Sequence, residues 1–305
     1  MFYKFFSQLK SYSYDDASRD CDDDTDASPT PGDDCGCDDK SIQKYIFGTL
    51  CDDTLTGSVR NDLIIALSGD DSVDGGDGCD KIYGGSGNDT LLGGNGEDTI
   101  YGGSGDDVIQ GGECDDSLMG GDGNDTINGN AGQDYMDGGD GNDVLTGGVD
   151  DDEIYGGSGD DTIKGGGGGF DLIDGGDGND SIMGGDDSDT IYGGAGNDSI
   201  NGGSGDDLIF GDAGDDTLIG GLGTDTLTGG EGADVFRYTG QTGIGTDVIT
   251  DFDVTEDRFL FNGLDGASFA ASADAEGLLL TYAPTSETIL LAGLGLADYD
   301  LLVGL

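Results

Sequence analysis

The chain has no histidine among its 305 residues. Zinc peptidases of the His-Glu-x-x-His type and Ser-His-Asp hydrolases both need an imidazole, so both are excluded. Positive charge is nearly as scarce: 10 Lys and Arg stand against 66 Asp and Glu, a net charge of −56. Phosphate binding draws on Lys and Arg, so nucleic acid is excluded as a partner. No apolar run approaches the eighteen or more residues that span a bilayer as a helix. No segment of useful length carries a helical apolar period. High charge with low hydrophobicity is the signature of a chain that stays unfolded unless something else supplies folding free energy.

What the chain does have is glycine, 65 residues of it, and a nine-residue period. The clearest unit reads Gly84-Gly85-Ser86-Gly87-Asn88-Asp89-Thr90-Leu91-Leu92. Thirteen such units run without a gap from Gly48 to Lys164, a ten-residue unit follows from Gly165 to Asp174, and seven more run from Gly175 to Arg237. Each carries an Asp at its sixth place (the seventh in the ten-residue unit) and an apolar residue two places later. Six residues rich in Gly, Asn and Asp predict a tight turn. The last three predict a very short strand with its middle side chain pointing inward. Glycine lets backbone carbonyls approach a ligand closely. A glycine turn followed by an Asp therefore offers both oxygen types that a hard cation such as Ca²⁺ takes, carbonyl and carboxylate. One such Asp is most simply an Asx-turn residue. A stack of twenty-one at strand spacing would be strongly repulsive without cations.

The array resembles the RTX (repeats-in-toxin) family of hemolysin-type calcium-binding repeats, over about two thirds of the chain. The resemblance implies multiple bound Ca²⁺ ions and a right-handed parallel β-roll. A second period agrees with that fold. Numbering units from Gly48, the ninth places of the even units include Tyr83, Tyr101, Met119, Tyr155, Tyr192 and Phe210; those of the odd units hold no aromatic. The seventh places of the odd units are small and β-favouring, from Thr54 and Ser72 to Thr217 and Val235. The true repeat is thus eighteen residues, two units per turn, with odd and even units on opposite sheets. The fold class expected is all-β: a right-handed parallel β-roll, a β-solenoid of nonapeptide repeats, closed by a C-terminal antiparallel β cap.

Each ion is expected between the loop of one unit and the loop two units later, which bounds the count at about 19. The candidate metal ligands are Asp71, Asp80, Asp89, Asp98, Asp107, Asp116, Asp125, Asp134, Asp143, Asp152, Asp161, Asp171, Asp180, Asp189, Asp198, Asp207, Asp216, Asp225 and Asp234. The array holds 44 Asp and Glu against 4 Lys and Arg, a net −40 that a full set of Ca²⁺ would nearly neutralise. Irregular units should reduce the number of good sites. The first three lack the full glycine set, non-glycine residues such as Cys51, Arg60, Cys114, Asp150 and Asp187 hold the fourth place, and the extra residue within Gly165–Gly169 should disturb a gap.

Residues 1–47 read as an acidic, disordered leader without a signal-peptide pattern. Residues 238–305 change character: Thr246–Phe252, Arg258–Phe261, Leu278–Tyr282 and Thr288–Leu291 predict antiparallel strands. This segment resembles the cap that follows RTX arrays, and a solenoid end needs one. Asp298-Tyr299-Asp300-Leu301-Leu302-Val303 resembles the uncleaved C-terminal signal of type I secretion. Six cysteines are present. Cys79 and Cys114 sit two turns apart, about 9–10 Å, beyond the reach of about 7 Å for a disulfide, so they should not pair with each other. Cys21, Cys35, Cys37 and Cys51 complete the set, and the pairing stays open.

The function expected is a secreted, non-catalytic calcium-binding protein whose folding is induced by extracellular Ca²⁺, with a structural, adhesive or surface-associated role. The type I secretion machinery is the partner this implies, with polysaccharide or a second copy as candidates for the folded surface. The alternatives are a carbohydrate- or ice-binding surface protein and the remnant of a larger RTX enzyme.

Overall fold

The computed structural model describes residues 41–238, 245–261, 269–273, 277–282 and 288–294. Most of the leader, Cys21, Cys35, Cys37 and the secretion-like stretch from Asp298 to Val303 lie outside the described residues. Twenty-seven strands and no helix are present among those described.

The strands form two sheets, and consecutive units alternate between them. A sheet of 15 strands begins with β1 (Lys44–Phe47) and carries the even units; a sheet of 12 begins with β2 (Thr54–Ser58) and carries the odd ones. Every pairing along the array is parallel and in register over one eighteen-residue turn, as in Tyr83↔Tyr101 and Thr90↔Val108. The ten-residue unit shifts the partner by one, Tyr155↔Asp174, and the ladder then resumes. The expected alternation of units between sheets is what the chain adopts.

The strands are longer than the predicted three residues. A typical one runs Thr90–Asn95, from the seventh place of one unit through the third place of the next, so the Gly-Gly pair lies inside the ladder. Two backbone positions per unit then turn the chain. Gly85 and Gly87 sit at φ 120° and 119°, a region that costs glycine little. Leu67, Asn130 and Asp212 take that conformation at the second place, and Cys114, Asp150 and Asp187 take it at the fourth, with φ between 70° and 88°.

The eighth-place side chains meet between the sheets. Ile82, Leu91, Ile100, Ile109, Leu118 and their successors to Leu227 are fully buried and form one continuous core. Only two large aliphatics per eighteen residues contribute, at about 1.5–3 kcal/mol each. An aromatic plug ends this row, where Phe236, Phe252 and Phe259 pack with centroids 4.7–6.2 Å apart.

The C-terminal region departs from its expected form. Strands β23 (Thr246–Ile249) and β24 (Arg258–Phe261) do not pair antiparallel; they extend the two parallel sheets by adding to Thr226–Glu231 and β22 (Val235–Tyr238). The antiparallel part is confined to β25 (Phe269–Ala273), β26 (Gly277–Tyr282) and β27 (Thr288–Ala292), with β27 running parallel to β23. The reason is local. Asp247 and Asp257 each accept the backbone N–H of the Asp one turn earlier, as repeat Asp residues do. Sequence spacing of 22 and 23 residues concealed the continuation.

Candidate metal centre

The sixth-place Asp residues form two columns, one along each edge where the chain passes between sheets. All nineteen candidates are 0–3 % exposed. One oxygen of each carboxylate is accounted for. Asp89 Oδ1 accepts the N–H of Asp71 at 2.8 Å, Asp107 Oδ1 accepts that of Asp89 at 2.8 Å, and the pattern repeats to Asp234, which accepts from Asp216 at 2.9 Å. The Asp backbone carbonyl is used as well, by the seventh-place N–H one turn on, as in Thr90 to Asp71 at 2.8 Å.

The second oxygen has no such partner. Oδ2 of Asp71 and of each candidate from Asp80 to Asp225 is buried without a hydrogen bond. Leaving one buried charged oxygen unpaired costs several kcal/mol; here the situation recurs at every turn. The atoms around that oxygen show what fits. A methyl added to Gly193 would lie 2.6 Å from Asp198 Oδ2 and 2.6 Å from the Gly211 carbonyl oxygen. The same cradle of own-unit carboxylate and next-turn carbonyl surrounds the first glycine of eighteen units, Gly48 and Gly57 included; in sixteen of them, from Gly75 with Asp80 to Gly211 with Asp216, the carboxylate oxygen has no hydrogen bond. Glycine is required at this place because any side chain would fill the space between the two oxygens. Three candidates lack the full cradle. Asp71 belongs to the unit that begins with Ala66, whose methyl occupies the corresponding position. At Gly220 and Gly229 the nearest atoms all belong to Asp225 and Asp234 themselves.

These donors fit a divalent cation of the calcium type. Hard oxygen ligands, part carboxylate and part carbonyl, are what Ca²⁺ takes. Among the described residues no three His, Cys, Asp or Glu side chains converge on a point, as a transition-metal centre would have them. The electrostatics agree. Burial pushes the Asp98 carboxyl up to about 8 and Asp116 to about 9, against the opposing N–H bonds from Asp80 and Asp98. A cation between the turns relieves the same cost that burial imposes.

The ten-residue unit does not disturb its gap, contrary to expectation. Gly165 retains Asp171 Oδ2 and the Gly184 carbonyl around it, and Asp152 and Asp161 donate to Asp171 and Asp180 across 19 residues instead of 18. The extra residue is absorbed outside the ladder: a methyl on Gly167 would touch nothing within 4 Å.

A second ladder escaped the sequence reading. Along the odd edge the fifth-place side chains accept N–H groups from the following turn: Asp70 from Asn88 at 2.9 Å, Asn88 from Asp106 at 3.0 Å, Asp106 from Asn124 at 2.9 Å. The signal was visible in the run Asp52, Asp70, Asn88, Asp106, Asn124, Asn142, Asp160, Asn179, Asn197, Asp215. The even edge carries separate steps of the same kind, with Asp115 accepting the Gln133 N–H and Asp151 the Phe170 N–H, both at 2.8 Å.

The aromatic column is real but discontinuous. Tyr83 stacks on Tyr101 with centroids 4.9 Å apart and planes 5° apart, with the Lys81 ammonium over both rings. Tyr192 stacks on Phe210 at 5.0 Å and 5°. Asp137 and Asp174 interrupt the column on either side of Tyr155. Cys79 and Cys114 are both disulfide-bonded, and two ladder steps separate the units that carry them. Cys51 is a free, exposed thiol.

Comparison with known proteins places this geometry. The family model of the RTX calcium-binding nonapeptide repeat matches residues 47–82, 56–91, 83–113, 92–127, 110–145, 137–169, 165–200 and 201–236. Among solved structures, the R3 subunit of the AlgE6 mannuronan C5-epimerase from Azotobacter vinelandii is 33 % identical, over 40 % of this chain and 78 % of that one, with a TM-score of 0.31. The extracellular lipase LipA from Serratia marcescens is 20 % identical, over 67 % of this chain and 39 % of that one, with a TM-score of 0.32. No curated protein shows significant similarity. With two columns of cation cradles spaced by the same nonapeptide that the family model describes, the chain belongs to the RTX calcium-binding nonapeptide repeat family.

Proposed function

We propose that the protein is a calcium-gated β-roll that folds after export and serves outside the cell as a non-catalytic structural or adhesive element. The observation that carries this reading is the set of sixteen cradles, each pairing a buried, unbonded carboxylate oxygen with a backbone carbonyl. The roll buries little apolar surface per turn and stacks its carboxylates, so ion binding has to supply folding free energy. At low cytosolic calcium the chain stays unfolded and fit for type I secretion. Millimolar extracellular calcium, in the 10⁻⁴–10⁻³ M range of extracellular modules, then folds it. The residues we assign as ligands are Asp80 to Asp216 at the sixth places, with the carbonyls of the first glycines one turn on. Sixteen Ca²⁺ ions would bring 32 positive charges against the net −40 of the array.

Non-catalytic function is supported by the absence of histidine and by the use of the buried carboxylates in a regular stack. A polysaccharide platform on the aromatic face draws less support, since Tyr83 and Tyr101 spend their faces on each other and on Lys81. Equilibrium dialysis against buffered Ca²⁺ and Mg²⁺ tests the central part of this reading. About sixteen Ca²⁺ per chain at saturation is expected, with little Mg²⁺, which demands a tighter octahedral shell. A count of only a few ions, or equal binding of Mg²⁺, contradicts it.

A further inference from the structure

Two half-buried sulfurs on the even edge are bonded to partners that the fold narrows to three. Cys79 and Cys114 are both disulfide-bonded, while Cys51 is a free thiol. The ladder keeps the two apart. Cys79 precedes strand β5 (Lys81–Ser86) and Cys114 precedes strand β9 (Ser117–Asp122), and β7 (Thr99–Ser104) lies between them in the sheet. Two ladder steps amount to about 9–10 Å, and a disulfide bridges Cα atoms no more than about 7 Å apart. With six cysteines in the chain, their partners are therefore two of Cys21, Cys35 and Cys37, all N-terminal to the roll.

The chain enters the roll beside these cysteines. The Gln43 N–H donates to the Asn61 carbonyl at 2.8 Å, and the Asn61 side-chain oxygen accepts the Cys79 N–H at 3.0 Å. A groove of about 330 Å³ continues from there along the even edge, bordered by Ile42, Asn61, Cys79, Glu97 and Asp115, the last of these adjacent in sequence to Cys114. Cys37 and Cys35 lie six and eight residues before Gln43. At about 3.3–3.6 Å per extended residue, both reach Cys79, one step from Asn61, and Cys114, three steps from it. Cys35 and Cys37 stand at most about 7 Å apart across Gly36, and each bridge adds about 5–6 Å between Cα atoms, so the pair spans two ladder steps. Cys21, 22 residues before Gln43, has a longer loop to close.

We propose that Cys37 bonds to Cys79 and Cys35 to Cys114, a redox-sensitive clasp that fastens the segment before Ser41 to the even edge of the early turns. Chain order sets the pairing, since Cys37 is the nearer to Gln43 and Cys79 the nearer to Asn61. Each bridge forms as two thiols give two electrons and two protons to a small-molecule disulfide, which leaves as two thiols; a dithiol reverses the exchange. The two bridges also restrict the unfolded chain, so the clasped form should fold at lower calcium than the reduced form. The pairing stands without calcium, whereas its effect on folding rests on the calcium reading of the array.

The test uses the full-length chain, oxidised with a small-molecule disulfide in the presence of Ca²⁺. Alkylation after unfolding, without reductant, should label Cys21 and Cys51 and no other thiol. Cleavage before Asp should then release residues 34–37, 77–79 and 107–114 as one linked species by mass spectrometry, which a phosphine reductant separates. In Cys35→Ser, Cys114 should become alkylated while Cys79 stays bonded. A species joining Cys79 to Cys114, a bridge from either to Cys21, or alkylation of Cys79 in Cys35→Ser overturns the clasp. In calcium titrations followed by far-ultraviolet circular dichroism, the oxidised chain should reach its midpoint at lower calcium than the reduced and alkylated chain. Equal midpoints overturn the effect on folding. Should neither form respond to calcium, the array reading falls and the peptide mapping still decides the pairing.

Discussion

At the scale of single residues, the first glycine and the sixth-place Asp of each unit carry the chemistry. The sequence displayed both by strict periodicity, and the columns stand where that period placed them. What it could not display was which units keep a complete cradle, since this depends on the neighbouring turn: Ala66 spoils one cradle, and the end of the array spoils those at Gly220 and Gly229. Gly193→Ala keeps an allowed backbone but puts a methyl 2.6 Å from both Asp198 Oδ2 and the Gly211 oxygen. It should remove one ion and destabilise the loaded roll by about 1–3 kcal/mol, read from dialysis and calcium-loaded denaturation. Gly167→Ala, with nothing within 4 Å, should stay within roughly 0.5 kcal/mol of the parent. Equal effects of the two would contradict the cradle. The carboxyls also make the calcium-free roll sensitive to acid in an unusual direction. Burial raises Asp89 to about 6, Asp98 to about 8 and Asp116 to about 9, whereas the unfolded chain titrates near 4. The folded chain therefore holds more protons, so stability without calcium is greatest below about pH 4 and is lost as pH rises through these folded values. In excess chelator, β content by circular dichroism should rise on acidification from pH 8 to 5. A fall would contradict the buried columns. With calcium present the sign reverses, since protons and ions compete for the same oxygens.

At the scale of the strand and turn, the eighteen-residue period was legible because ninth-place aromatics and seventh-place Thr, Ser and Val sort by unit parity. Strand length was not, because Gly-Gly pairs read as turn residues in isolation and become ladder residues only once the adjacent turn supplies hydrogen bonds. The fifth-place ladder was missed for a related reason: Asn and Asp at such positions serve local turns as readily as a partner eighteen residues away. The C-terminal continuation was missed because the spacing stretches to 22 and 23 residues while the register holds. The ten-residue unit shows the same tolerance. Its surplus is carried at Gly167 and Gly168, outside the cradle at Gly165, so deletion of Gly168 should leave the ion count unchanged and shift stability by no more than about 1 kcal/mol. Dialysis and denaturation of the deletion variant check this; loss of one or more ions would mean that the bulge supports the site.

At the scale of the whole molecule, charge decides the state. A net −56 with 65 glycines opposes a compact chain, and the thin row of eighth-place Ile and Leu does not offset the ordering of so many glycine residues without help. On the proposed reading, the two regular columns of buried, unbonded oxygens turn that liability into a requirement for many divalent ions at once. Because each carboxylate touches the turn before it and the cradle beyond it, ions at neighbouring turns stabilise one another's sites, and folding should be cooperative in calcium. The repeat family, the two-sheet architecture and the calcium chemistry were all present in the period of the sequence, whereas the partner of the folded surface is not encoded in any such repetition. The most direct measurement is far-ultraviolet circular dichroism of the full chain during a calcium titration from a chelated start at pH 7.5. The account predicts a cooperative transition from coil to β structure near millimolar calcium that magnesium does not reproduce. A spectrum already rich in β structure in excess chelator would contradict it.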